Sequence, residues 1–185
     1  MRRHAGPRDL CPGRLCRPVT MSECRRCPCG RMPTLPGMSS ERNRELVQGA
    51  WRSFSTRDKD LIASFFAQDA EWLAPSGNAT AVALGATHHM VGREAIVHFL
   101  TVGFPRMFVA DVAVDFRGFY ADGDVVVVEE TMQATLADGN AYSNDYCFIF
   151  QLRDGLIHRV REYMDTAKGH RMVFGDAGGD RTDDH

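Results

Sequence analysis

The sequence has no run of about 18 apolar residues, so no segment of it is expected to span a membrane as a helix. Its basic N-terminal stretch has no apolar h-region after the arginines, so it does not read as a secretory signal. Cysteine is nearly missing from the patterned part. Five of the six lie at positions 11, 16, 24, 27 and 29, and Cys147 stands alone in the rest. A lone thiol excludes a disulfide framework there and suits a reducing, cytoplasmic compartment. Net positive charge is also lacking beyond the first 37 residues. Residues 1–37 carry +6, whereas residues 38–185 carry −8. An acidic body argues against nucleic acid as a partner.

Residues 1–37 are rich in Arg, Pro, Gly and Cys and poor in aliphatic side chains, so they are expected to be a disordered extension. The "CRRCPC" cluster has C-x-x-C spacing that thiolate zinc sites use, but no second Cys/His pair follows at finger distance. Neither metal nor cofactor is expected. Residues 38–175 read as one domain, and residues 176–185 as a fraying tail.

Within that domain the period of the apolar residues changes. "SSERNRELVQGAWRSF" repeats apolar residues at 3–4 spacing behind a serine cap and reads as a helix. "TRDKDLIASFFA" gives a second short helix, with Phe65 and Phe66 on it, and "DAEWLAP" a short strand. "SGNATAVALGATHHMVG" reads as a long loop of small residues. "GREAIVHFLTVGFPRMF" is a third helix, stopped near Pro105. From there the period is two. Four strands follow, separated by "ADGD", "ADGN" and "RDG" turns, and a last short helix is expected in "TAKGHRMVFG". Helices first and an antiparallel meander after them define an α+β fold, with three N-terminal helices packed into a curved, mostly antiparallel sheet.

"GNAYSNDYCFIFQLRDGLIHRVREYMDT", residues 139–166, resembles the C-terminal signature of SnoaL-like proteins of the nuclear-transport-factor-2-like superfamily. That group includes polyketide cyclases, ketosteroid isomerases, limonene epoxide hydrolases and phenazine-biosynthesis A/B proteins. The resemblance implies a cone with an apolar pocket on the concave side of the sheet, a small hydrophobic ligand and a homodimer. Its "REYM" is similar to the phenazine A/B motif that carries an acid–base glutamate, which falls on Glu162. Asn144, Tyr146 and Glu129 join it as candidate catalytic residues. Trp72, Phe99, Thr131, Gln133, Tyr142, Phe148 and Met164 are the candidate pocket lining. The ketosteroid isomerase base would fall on Ala74, which cannot take a proton. The epoxide hydrolase arginine and second aspartate would fall on Glu129 and Thr131.

A glutamate in an apolar pocket has a raised pKa, because desolvation disfavours its charge, and can shuttle a proton near neutral pH. Asn144 and Tyr146 would orient a substrate oxygen. The expected activity is acid–base catalysis without a cofactor, as in isomerisation, cyclisation or condensation of a small carbonyl compound. The alternative is a non-catalytic ligand-binding or accessory protein of the same fold.

Overall fold

The computed structural model describes residues 39–175, and the two terminal segments considered above lie outside the described residues. Helix α1 (Ser40–Phe54) opens on Ser39, whose hydroxyl accepts the Arg42 amide, and buries Val47 and Ala50 against the sheet. Helix α2 (Lys59–Ala63) is capped by Asp58, which accepts the Asp60 and Leu61 amides at 3.0 Å. It ends earlier than its apolar residues suggest. Strand β1 (Phe66–Leu73) takes Phe66, because that ring is wholly buried in the sheet's core and tertiary burial outweighs local helical spacing.

The stretch expected as a loop holds helix α3 (Ala79–Leu84), capped by Asn78 and closed by Gly85 at φ 59°, and the short strand β2 (His89–Val91). The third predicted helix comes in three pieces. Helix α4 (Arg93–His98) runs into a π-helical turn (Phe99–Gly103), and α5 (Phe104–Met107) follows. Pro105 falls in the first turn of α5, where its missing N–H costs nothing, so the helix continues through it.

Four long strands complete the sheet: β3 (Phe108–Asp122), β4 (Val125–Leu136), β5 (Ala141–Arg153) and β6 (Leu156–Met164). The order is β2-β1-β6-β5-β4-β3, with β1 and β6 parallel and every other pair antiparallel. The β5–β6 turn puts Asp154 at φ 53° and Gly155 at φ 76°, the left-handed pair that a tight hairpin turn demands. Strand β3 is interrupted in register near Asp111, itself at φ 55°, and again between Phe116 and Gly118. Such bulges add local twist and bend an edge strand. The sheet is curved and open, and its mixed α+β architecture is the predicted one.

Burial on β4 and β5 alternates without a break. Every even-numbered residue from Val126 to Leu136 and from Tyr142 to Leu152 is buried, and the odd-numbered ones are not. The even face packs on α1 and the other helices. Val126, Val128, Phe150, Ile157 and Val160 are fully buried on it, each worth roughly 1.5–3 kcal/mol of hydrophobic stabilisation. Helix α6 (Thr166–Phe174) starts at Asp165, which accepts the Lys168 amide at 2.8 Å. Its buried Gly169 lies over Asn144, where an added Cβ would come within 3.1 Å of the Asn144 amide nitrogen.

Candidate functional site: a carboxyl-bearing cavity on the concave face

Between the even face of the sheet, α1, the π-helical turn and the segment before β2 lies a cavity of about 600 Å³. Aromatic rings form most of its wall. Trp51 sits edge-on to Phe116 and Phe148 at 5.4 and 5.2 Å, and Tyr146 stacks on Phe148 at 5.6 Å. Phe99 reaches it from the π-helical turn, a wider turn that recurs at functional sites. His88 reaches it from the loop before β2.

Glu162 lines the cavity from β6. It stands opposite Phe148 on β5, and its Oε2 accepts the Trp72 indole N–H at 2.7 Å. Burial drives its pKa up to about 7, and the Trp72 hydrogen bond pulls the other way. No ion pair with Glu162 is formed among the described residues.

A second carboxyl lines the same space. Glu130, directly opposite Tyr146, is 2% exposed, and its Oε2 is buried with no hydrogen-bond partner. Desolvation, reinforced by the charge of Glu162, raises its pKa to about 8.

Tyr146 lines the cavity, and behind it runs a chain of buried polar groups. The Asn144 side-chain amide donates to the Asp165 carbonyl at 3.0 Å and to the Tyr142 hydroxyl at 3.3 Å. Its own oxygen accepts the Asp145 amide. The two tyrosine hydroxyls are 2.7 Å apart. The Asn144 amide is a donor to Tyr142, so the Tyr142 oxygen is engaged as an acceptor. Either hydroxyl can donate in the Tyr142–Tyr146 bond, and Tyr146 is the member of this chain that lines the cavity. Burial raises the pKa of both tyrosines, that of Tyr146 well above the ordinary value. Both hydroxyls stay protonated.

The structure brings Glu162, Tyr146, Trp72, Phe99 and Phe148 to the cavity wall. Asn144 and Tyr142 lie behind Tyr146 rather than on the wall, and Met164 packs against the core beside it. Three placements need correction. Glu129, Thr131 and Gln133 were expected to share the face of Glu162, but they lie on the opposite face of β4. Cross-strand partners share a face, and the register pairs Glu130 with Tyr146 and Met132 with Asn144. Glu129 and Gln133 are exposed, and Thr131 donates to Asp145 at 2.7 Å beside Arg117 on the outer face. Along this stretch β4 instead turns Val128, Glu130 and Met132 inward. Glu130 was missed because "VVVVEETM" has no alternation of its own from which to tell which glutamate faces in. The position still offers no arginine.

The SnoaL-like domain family's sequence profile matches residues 47–160, more than half of the chain, and the chain belongs to that family. Solved structures agree on the fold. One is TerC co-crystallised with polyporic acid, 27% identical with a TM-score of 0.62, covering 71% of this chain and 98% of that one. An NTF2-like protein from Burkholderia xenovorans is 23% identical with a TM-score of 0.62, covering 74% and 99%. An NTF2-like protein of unknown function from Burkholderia pseudomallei is 19% identical with a TM-score of 0.63, covering 72% and 98%. No match to a curated protein is found. No helix among the described residues is long and apolar enough to cross a membrane, and none of their His, Cys, Asp and Glu side chains cluster as metal ligands.

Proposed function

We propose that the cavity binds a small, flat, hydrophobic carbonyl compound and that Glu162 moves a proton on it without a cofactor. The observation that carries this is the placement of Glu162: a carboxyl with a pKa near 7, free of any cationic partner among the described residues, in an aromatic cavity. A carboxyl in that range is present in both forms at neutral pH and can serve as base and then as acid. The C–H bond next to the carbonyl breaks, its proton passes to Glu162, and its electron pair moves onto the carbonyl oxygen. Tyr146 donates a hydrogen bond to that oxygen as its charge develops. Returning the proton to a different carbon is isomerisation, and attack of the carbanion on a second carbonyl is cyclisation or condensation. TerC's co-crystallisation with polyporic acid, at 27% identity, supports a small organic ligand. In the rival reading, an accessory binding protein, the cavity holds its ligand and Glu162 transfers nothing.

α-Proton exchange separates the two. With 2-tetralone in deuterated buffer, NMR should show exchange accelerated by the wild type and lost by on the order of 10²-fold in Glu162→Gln. Equal exchange in both proteins would leave the binding-protein reading in place.

We also propose a homodimer through the outer face of the sheet and a cytoplasmic location. Tyr120 and Tyr163 stand 55% and 48% exposed on that face, with Val127 and Ile149 beside them, an apolar patch suited to a second copy. The free thiol of Cys147 supports a reducing compartment. Light scattering of the wild type and of Tyr120→Lys tests the dimer, and fractionation of the native cells tests the location.

A further inference from the structure

We infer that the ligand has an acidic tail: its planar head fills the main cavity, and the tail runs past Phe99 into a side chamber where Arg106 holds the tail's carboxylate. This rests on the reading of the cavity as a site for hydrophobic carbonyl compounds, and it narrows that class to keto acids.

The chamber, of about 280 Å³, lies against the main cavity. Ala86, Thr87, Met90 and Phe99 line both spaces, so the two meet along that wall. Ala86 and Thr87 are small and exposed there, and Met90 is an unbranched side chain that shifts readily. Phe99 is the one large rigid group on the shared wall. Its ring rests on the bare backbone of Gly103, where an added Cβ would stand 3.0 Å from Phe99 Cδ2. Phe99, Gly103 and Arg106 follow at i, i+4 and i+7 along the π-helical turn and α5. That spacing brings the ring, the bare backbone and the guanidinium to the same chamber.

Leu84 from α3 and Ala95 from α4 give the chamber apolar walls. Arg106 and His98 are its chargeable groups. Both are exposed, and neither forms an ion pair among the described residues. No acidic side chain among the described residues lines it. An apolar passage that ends at an unpaired guanidinium suits an alkyl chain that ends in a carboxylate. The chain gains by leaving water, and the planar fork of an arginine donates two parallel N–H bonds to the two oxygens.

Charge placement fixes the orientation. Both carboxyls of the main cavity lie on the sheet, Glu162 on β6 and Glu130 on β4, whereas Arg106 is carried by α5. A keto acid bound the other way round would set its carboxylate against Glu162 and Glu130, and like charges oppose one another. The other cation within reach is Arg52, which lines the main cavity from α1.

Isothermal titration calorimetry at pH 7 with 3-benzoylpropionic, 5-benzoylpentanoic and 7-benzoylheptanoic acids, each against its methyl ester, measures what the tail contributes. In the wild type, acid and ester should bind alike at the shortest tail, and the acid about tenfold better at the longer two. Arg106→Gln should erase that preference without weakening the esters. Ala95→Leu fills the chamber from a wall that the main cavity does not share. It should weaken both longer acids about tenfold and leave the shortest ester unchanged. An acid preference equal at every tail length, or one lost in Arg52→Gln and kept in Arg106→Gln, would put the carboxylate in the main cavity and overturn the side chamber, leaving the cavity reading intact. Esters that bind with no acid preference at any length overturn it in the same way. Failure of every acid and ester to bind overturns the cavity reading as well.

Discussion

The indole N–H of Trp72 reaches the Glu162 carboxylate across the parallel pairing of β1 with β6, at 2.7 Å. A hydrogen bond to the charged form favours it, so Trp72 limits how far burial can raise the Glu162 pKa. Replacing Trp72 by Phe keeps an aromatic wall and removes the donor. If Glu162 is the base, exchange of 2-tetralone α-protons in the wild type should rise with pH through about 7. In Trp72→Phe that rising limb should move to higher pH. An unmoved limb would separate the observed titration from Glu162.

The two buried carboxyls also set how stability depends on pH. Their pKa values in the folded state are about 7 and about 8, against ordinary glutamate values in the unfolded chain. The folded state holds its protons more tightly, so stability is highest below the unfolded pKa. It falls as pH rises and levels off once both folded values are passed. Urea denaturation from pH 5 to 9 should show this decline. Glu130→Gln should remove much of it and become the more stable protein at pH 9, by up to several kcal/mol. A wild type as stable at pH 9 as at pH 5 would mean that neither carboxyl is held neutral by the fold.

The chain Asn144–Tyr142–Tyr146 yields a different kind of prediction, because only its last member reaches the cavity. Tyr146→Phe deletes the donor and should lower the exchange rate by on the order of 10²-fold with little change in KM. Tyr142→Phe leaves that donor in place but frees its oxygen, so it should cost less, about tenfold, and its deficit should lie in kcat. Asn144 supports α6 through the Asp165 carbonyl, and Asn144→Ala should cost stability as well, about 1–3 kcal/mol for the buried groups it strands. Equal rate losses for Tyr142→Phe and Tyr146→Phe would contradict a chain in which Tyr146 alone meets the ligand.

The path from sequence to site was uneven for identifiable reasons. Strand β5 alternates in its own letters, so the shared face of Tyr142, Asn144, Tyr146 and Phe148 was legible, as was its match to Glu162 across the short Asp154-Gly155 turn. Strand β4 offers four valines and two adjacent glutamates, and nothing local says which glutamate turns inward. The turn length does. Thr135 pairs with Ala141, and this register commits even-numbered residues of β4 to the even face of β5. Depth was less accessible still. Asn144 and Tyr142 occupy the right face, but whether they touch the cavity or stand behind its wall depends on α6 closing over them through Gly169, a packing that no strand pattern encodes. Similarly, the early start of β1 at Phe66 follows from burial in a sheet assembled from distant segments.

Glu129 and Glu130 allow the register to be tested with two adjacent substitutions of the same chemistry. Glu129 stands on the outer face, opposite Cys147, whose thiol is pushed up in pKa by burial and by the Glu129 charge. In Glu129→Gln that charge is gone, so the thiol should ionise at lower pH. Alkylation of Cys147 by iodoacetamide, followed at that site by peptide mass mapping, should become faster at a given pH below the thiol's pKa. The fall in stability between pH 5 and 9 should stay as it is in the wild type. Glu130→Gln should do the reverse, removing much of that fall and leaving the alkylation rate of Cys147 unchanged, since the sheet itself separates the two side chains. Loss of that fall in Glu129→Gln would place Glu129 inside the cavity and invert the face of β4.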